Sequence, residues 1–266
     1  MKKSRSVASV SRVWASSPDV RTLALLWSDC GWRTLATISA LGWLVLAFAA
    51  ERLFATGLCG SLALAWIKGG RTAVEQLLLF NPPLSLAGAW LLMLVAMMPP
   101  LLASPLHYIW QRSLRRHQVA AIATFTLGYV GVWMLAGIGI GLLAISLRVL
   151  FVGNTSAVLV AALAIVLAWY ALPLRQYCLN RCHYRPRIDA FGWRAYRACF
   201  RFGCTAGFWC VGVCWPLMHL PYAVDRGHLP LMLLASAVLM LDRLRRPKAA
   251  LWGFSFPALR TLHTTR

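Results

Sequence analysis

The chain has 266 residues, of which 60% are hydrophobic and only 13% charged, with a mean hydropathy of +0.65. A water-soluble domain of this length cannot keep so much apolar surface from water, so an all-α, polytopic helical membrane bundle is expected. The net charge of +20, from 27 Lys and Arg against 7 Asp and Glu, is clustered beside apolar runs, as orientation signals and lipid-phosphate contacts are; this argues against a nucleic-acid partner and for the lipid bilayer.

Residues 1–34 carry Lys2, Lys3, Arg5, Arg12, Arg21 and Arg33. They lack the compact apolar core and cleavage site of a removed secretory signal, so a basic cytoplasmic segment is expected. Six spans follow, at about 35–54, 84–106, 118–147, 155–174, 202–224 and 229–244, each near the roughly 20 residues that a bilayer requires. They form one membrane domain over residues 35–245, followed by a cytoplasmic tail at 246–266.

Charge orients the spans. The N-terminal segment, the link with Arg112, Arg115 and Arg116, the 175–201 link and the tail with Arg243, Arg245, Arg246 and Lys248 are strongly positive, whereas the intervening links are nearly balanced. That alternation places both termini in the cytoplasm. Residues 53–67 are apolar enough to suggest a seventh span, but accepting it breaks the alternation. They read as a continuation of the first helix or as an interfacial segment.

Sulfur stands out along the chain. The second span carries Met93, Met97 and Met98 ahead of Pro99-Pro100. Cys178 and Cys182 follow the fourth span in an arginine-rich link, where nearby cations favour the reactive thiolate; a surface site exchanging metal with a cytoplasmic donor is the expectation there. In the fifth span Cys210 and Cys214 repeat the i, i+4 spacing, and Met218 lies one such step further. On a helix these three side chains share a face with Cys199, and with Gly203 and Gly207, small residues that admit a close neighbour. Cys204 lies off that face.

Soft sulfur ligands select Cu(I), or less readily Zn. With the second and fifth spans antiparallel, a rise of 1.5 Å per residue puts Cys210 and Met97 about 12 to 13 Å from the cytoplasmic end, and Cys214 and Met93 about 18 to 20 Å. Those depths would pair Cys210 with Met97 and Cys214 with Met93 if the helices are neighbours. One thiolate with thioethers around Cu(I) is neutral, which avoids burying net charge. Pro216 cannot donate to the carbonyl of Gly212, and Pro99-Pro100 interrupt the second helix; carbonyls freed at membrane depth are tolerated where protein or a polar cavity receives them. The competing reading is that Met and Cys only fill the core. His219 reads as an outer ligand or a core histidine, no acidic residue clearly sits mid-span, and no catalytic motif is present.

Four segments together resemble a known family: Trp90-Leu-Leu-Met93-Leu-Val-Ala-Met97-Met98-Pro-Pro, Gly128-Tyr129-Val-Gly-Val-Trp133, Pro173-Leu-Arg-Gln-Tyr-Cys178-Leu-Asn-Arg-Cys182 and Gly207-Phe-Trp-Cys210-Val-Gly-Val-Cys214-Trp215-Pro-Leu-Met218. The family is the bacterial DUF2182 type of metal-binding integral membrane proteins, also called copper chaperones, and the resemblance spans most of residues 84–245. It implies a multi-pass inner-membrane protein that assists copper delivery to an enzyme such as a tyrosinase-like oxidase. It also implies Met93, Met97, Met98, Cys178, Cys182, Cys210, Cys214 and Met218 as the metal-handling residues. The chain has Gly212-Val213-Cys214-Trp215 where the family often has Gly-Cys-Cys-Trp, and Gly227-His228-Leu229-Pro230 where it has Gly-x-Met-Asn. A non-enzymatic Cu(I) delivery factor is therefore the leading expectation. A soft-metal transporter and a membrane scaffold with packing-only sulfurs are the alternatives.

Overall fold

The computed structural model describes residues 30–53, 83–151, 154–188, 192–224 and 227–243, and these are all-α, with no strand among them. The helices are α1 (Cys30–Leu53), α2 (Pro83–Met97), α3 (Pro99–Arg112), α4 (Gln118–Leu150), α5 (Thr155–Ala171), α6 (Pro173–Cys182), α7 (Gly192–His219) and α8 (His228–Arg243). Each of the six expected spans has a helix at its position. Most of the 1–34 segment, almost all of residues 53–67 and the 246–266 tail lie outside the described residues.

Proline shapes the spans. Residues before proline are driven out of the helical region, and Leu172, ahead of Pro173, takes φ −75° and ψ 136°. The break bends α5 against α6 by 71°, and Pro99-Pro100 bend α2 against α3 by the same 71°. Among the described residues, three stretches are long and apolar enough to cross a membrane alone: Gly31–Phe48, Arg115–Leu150 and Gly192–Ala223. Counting each bent pair as one span gives five, while α8 has 16 residues. The helix of the fifth span also begins earlier than expected, at Gly192, whose φ of +68° suits a residue without Cβ.

Two of the carbonyls that proline frees are taken by side chains from other helices. Pro216 leaves the Gly212 carbonyl without its helical donor, and the Trp169 indole N–H donates to it at 3.0 Å. Pro100 does the same to Ala96, whose carbonyl accepts from the Ser39 hydroxyl at 2.5 Å. Each of these prolines therefore ties two helices together, because an unsatisfied carbonyl in an apolar interior is costly.

The tightest helix pair is α4 with α7. A Cβ on Gly203 would stand 2.1 Å from the Phe125 carbonyl oxygen, and one on Gly128 2.6 Å from that of Phe200. The small residues of the sulfur-bearing helix thus admit α4, not the methionine-bearing span, as their closest partner. Outside this core, Leu127, Leu135, Ile138 and Leu142 line the exposed face of α4, and Phe48, Phe208 and Leu234 are exposed on other helices. Apolar side chains on such a surface suit contact with lipid tails.

An ion pair lies inside the bundle. Arg175 on α6 and Asp242 on α8 are 2% and 0% exposed and bond directly. Tyr170 donates its hydroxyl to the same carboxylate at 3.1 Å, and its ring centroid lies 3.7 Å from the Arg175 guanidinium carbon. Arg175 had counted among the orienting charges of a cytoplasmic link; its partner instead makes it a core residue. Removing one member of a buried pair leaves an uncompensated charge and costs roughly 3–5 kcal/mol. Asp242→Asn and Arg175→Gln should each lower the thermal midpoint in detergent sharply, whereas exchanging the exposed Arg194 for Gln should leave it within a degree or two.

Candidate metal centre

Cys210 and Cys214 are buried one helical turn apart on α7, with their sulfurs 3.7 Å from each other. Two thiolates bonded to one ion at about 2.3 Å each, near the tetrahedral angle, stand about 3.8 Å apart. The pair is therefore spaced to share one ion with little movement. Helical geometry alone brings these two sulfurs together.

Tyr129 on α4 reaches the pair from the side. Its hydroxyl lies 3.2 Å from Cys210 Sγ and 3.4 Å from Met98 Sδ; with one hydrogen it donates to one of them at a time. It gets there because α4 runs so close to α7: a Cβ on Gly207 would stand 3.1 Å from the Tyr129 carbonyl oxygen. Met98 sits at the break between α2 and α3, so the proline kink turns a thioether toward the cysteine side of the core. The methionine linked to Cys210 through Tyr129 is therefore Met98, where depth alone had paired Cys210 with Met97.

Arg243 supplies the charge. It ends α8 one residue after Asp242, and its guanidinium is in electrostatic range of Cys182, Cys210 and Cys214. Its Nη1 also donates to the Cys182 carbonyl at 3.5 Å. The neighbouring His183 has Nδ1 3.0 Å from the Leu179 carbonyl oxygen and Nε2 3.4 Å from that of Arg243. Burial, reinforced by the Arg243 cation, holds the His183 pKa below the ordinary imidazole value. Arg243 is the cation beside the sulfurs.

The second cysteine pair divides. Cys178 is buried, and a Cβ on Gly212 would stand 2.8 Å from its sulfur. It packs against the backbone of the Cys210–Cys214 turn and is not the surface thiol expected from its arginine-rich surroundings. Cys182 is half-buried, lies in electrostatic range of Cys178 and Cys210, and lines a cavity of about 230 Å³ that also reaches Tyr129 and Arg243. Thus two pairs that are separate in sequence share one neighbourhood.

Of the eight expected sulfur residues, Met93, Met97, Met98, Cys178, Cys210, Cys214 and Met218 are buried in the hydrophobic core, with Cys182 packed against it; Cys210, Cys214 and Met98 are the ones linked at the Tyr129 hydroxyl. Among the described residues, no three His, Cys, Asp or Glu side chains converge to hold a metal. Thioethers such as Met98 are further soft donors in the same core. Tyr129 and Arg243 were not recognised in the sequence as part of the site. Tyr129 at least lies in one of the segments that carried the family resemblance, while Arg243 had been counted as an orienting charge.

A family model described as PpoB2, a copper chaperone, matches residues 87–258. No curated protein and no solved structure matches the chain.

Accessibility distinguishes the cysteines. In detergent, a water-soluble maleimide should modify Cys182 rapidly and Cys178, Cys210 and Cys214 slowly, as read by mass spectrometry of timed samples. Cys182→Ser should abolish the fast phase and Cys178→Ser should leave it in place; the reverse outcome would place Cys178 on the surface after all.

Proposed function

We propose, from the premise that the chain belongs to the PpoB2 copper-chaperone family, shown by the match over residues 87–258, that it is a non-enzymatic, membrane-embedded Cu(I) delivery factor. The observation that carries the reading is the buried Cys210–Cys214 pair, with sulfurs 3.7 Å apart beside Tyr129 and Arg243. Soft thiolates favour a soft ion such as Cu(I), and Met98, Met97, Met93 and Met218 offer thioethers in the same core.

Arg243 alters the charge balance drawn from the sulfurs alone. Two thiolates around Cu(I) carry a net charge of −1, and the adjacent guanidinium brings the group to zero. Both cysteines can then act as thiolates without burying net charge. The Tyr129 hydroxyl donates to sulfur, which stabilises the thiolate form and holds Cys210 in place. Both termini lie in the cytoplasm and the chain sits in a bacterial inner membrane. Cys182 faces the cytoplasmic supply, and the client is a copper enzyme of the tyrosinase-like kind.

One observation favours a second reading, a soft-metal transporter. Met218 and His219 continue the sulfur stripe by a further turn, and His219 is 1% exposed with neither ring nitrogen hydrogen-bonded. Donors at successive depths are what a transport path requires. Copper uptake into proteoliposomes separates the two readings: a delivery factor binds copper without accumulating it in the lumen.

Copper quantified per chain tests the site. The wild-type chain should retain about one Cu(I), and Cys210→Ser or Cys214→Ser should each remove most of it. Arg243→Gln should weaken retention by about tenfold to a hundredfold through the lost neutralising charge, and Met98→Leu should have a smaller effect. Full retention in both serine variants would reduce the sulfurs to packing. Reporter fusions at residues 112 and 190 should both report cytoplasm, and an external signal at either would overturn the topology.

A further inference from the structure

The cavity beside Cys182 has a chemical character that copper binding alone does not use. Its wall includes Arg181, Arg185, Arg187, Arg201 and Arg243, and among the described residues no carboxylate lines it. Two of these arginines are anchored. Arg181 donates to the Tyr177 hydroxyl at 3.2 Å, and Arg185 bonds to the Ser104 hydroxyl and lies over the Tyr108 ring, its guanidinium carbon 5.9 Å from the centroid. Burial and the nearby Arg243 lower the Arg185 pKa to about 10, so it remains charged at pH 7. The Arg187 and Arg201 side chains are exposed and make no ion pair or hydrogen bond among the described residues. Five guanidinium groups lining one cavity repel a free cation, Cu(I) included. They attract an anion and present planar donors suited to carboxylates.

We propose that this vestibule binds a low-molecular-mass anionic thiol, a carboxylate-bearing thiolate that brings Cu(I) to Cys182. The proposal rests on the copper reading and names the chemical class of the donor. The carboxylates engage Arg187 and Arg201 at the mouth, which directs the carrier's sulfur toward Cys182 and the Tyr129–Arg243 end of the cavity. Transfer is ligand exchange: a bond forms between Cu(I) and the Cys182 sulfur as the bond to the carrier sulfur breaks. The Cys182 proton passes to the departing thiolate, and copper stays Cu(I) throughout. The ion then passes to Cys210 by a second exchange, in which the Cu–S bond to Cys182 breaks as the bond to Cys210 forms and the Cys210 proton returns to Cys182, and the anionic carrier leaves through the arginine-lined mouth. The arrangement reconciles a positive entrance with a cationic cargo, because the cargo enters inside a negatively charged complex.

The test uses the full chain in zwitterionic nanodiscs. Copper-free protein is titrated calorimetrically with S-methylglutathione, which keeps the carboxylates but cannot donate a thiolate. Saturable binding is expected, weakened at least tenfold by the double variant Arg187→Gln/Arg201→Gln and unchanged by Cys210→Ser/Cys214→Ser. In the copper arm, loading from Cu(I)–glutathione should slow at least fivefold in the double arginine variant, while loading from Cu(I) held by uncharged 2-mercaptoethanol should be unaffected. Absence of S-methylglutathione binding, or binding indifferent to the arginines, overturns the proposal. So does equal competition by inorganic phosphate, which makes the vestibule a general anion site, or by anionic lipid in the nanodisc, which makes the occupant a headgroup. S-methylglutathione binding without any copper retention would instead sink the copper reading and leave the anion preference intact, so the two failures are distinguishable.

Discussion

The Arg175–Asp242 ion pair is the constraint on which the site depends. It joins α6 to α8 inside the bundle, with Tyr170 on the same carboxylate. Charges removed from water must find partners or become very costly, so this contact tolerates little slippage. Its position decides what stands next to it. Arg243 follows Asp242 directly, and locking α8 against α6 carries the Arg243 guanidinium to Cys182, Cys210 and Cys214. A link that looks like an accumulation of orienting charge is in part a structural clamp.

Around that clamp, the helices use proline and glycine for opposite ends. Proline creates a bend and a carbonyl without its donor, and a side chain from another helix satisfies the carbonyl, Trp169 at Gly212 and Ser39 at Ala96. Glycine removes the side chain that would keep backbones apart, at Gly128 and Gly203 between α4 and α7 and at Gly212 beneath Cys178. The first device fixes helix ends relative to their neighbours; the second sets how closely they approach. Both converge on the turn from Cys210 to Cys214. Its central carbonyl is bonded to Trp169 and its glycine face receives Cys178, so a rigid backbone holds the two sulfurs.

Electrostatically, the charge falls off from mouth to floor. The entrance carries several guanidinium groups, the floor carries Arg243 alone, and beyond it lie thiols, a phenol and thioethers in an apolar core. Under the proposed delivery role, a free cation meets a barrier at the entrance, and beyond it lies a cysteine pair with a compensating cation nearby. On the proposed reading, such a profile favours cargo that arrives ligated and leaves its ligand outside.

What the sequence determined by itself is what lies within one helix. Apolar runs marked the spans, the i, i+4 step put Cys210 and Cys214 on one face, Gly203 and Gly207 announced a close neighbour, and Pro216 announced a freed carbonyl at Gly212. Those features follow from helical periodicity and from the covalent structure of proline, both readable without a partner. What the tertiary structure alone decided is how the helices are rotated and which of them meet. It made α4 the neighbour of α7, brought in Tyr129, selected Met98 as the thioether reached through it, buried Cys178 and left Cys182 at the cavity. It also turned Arg175 and Arg243 from orienting charges into a clamp and a counter-charge. An arginine reads alike in sequence whether it faces lipid phosphate or a buried carboxylate; only the position of Asp242 across the bundle separates the two.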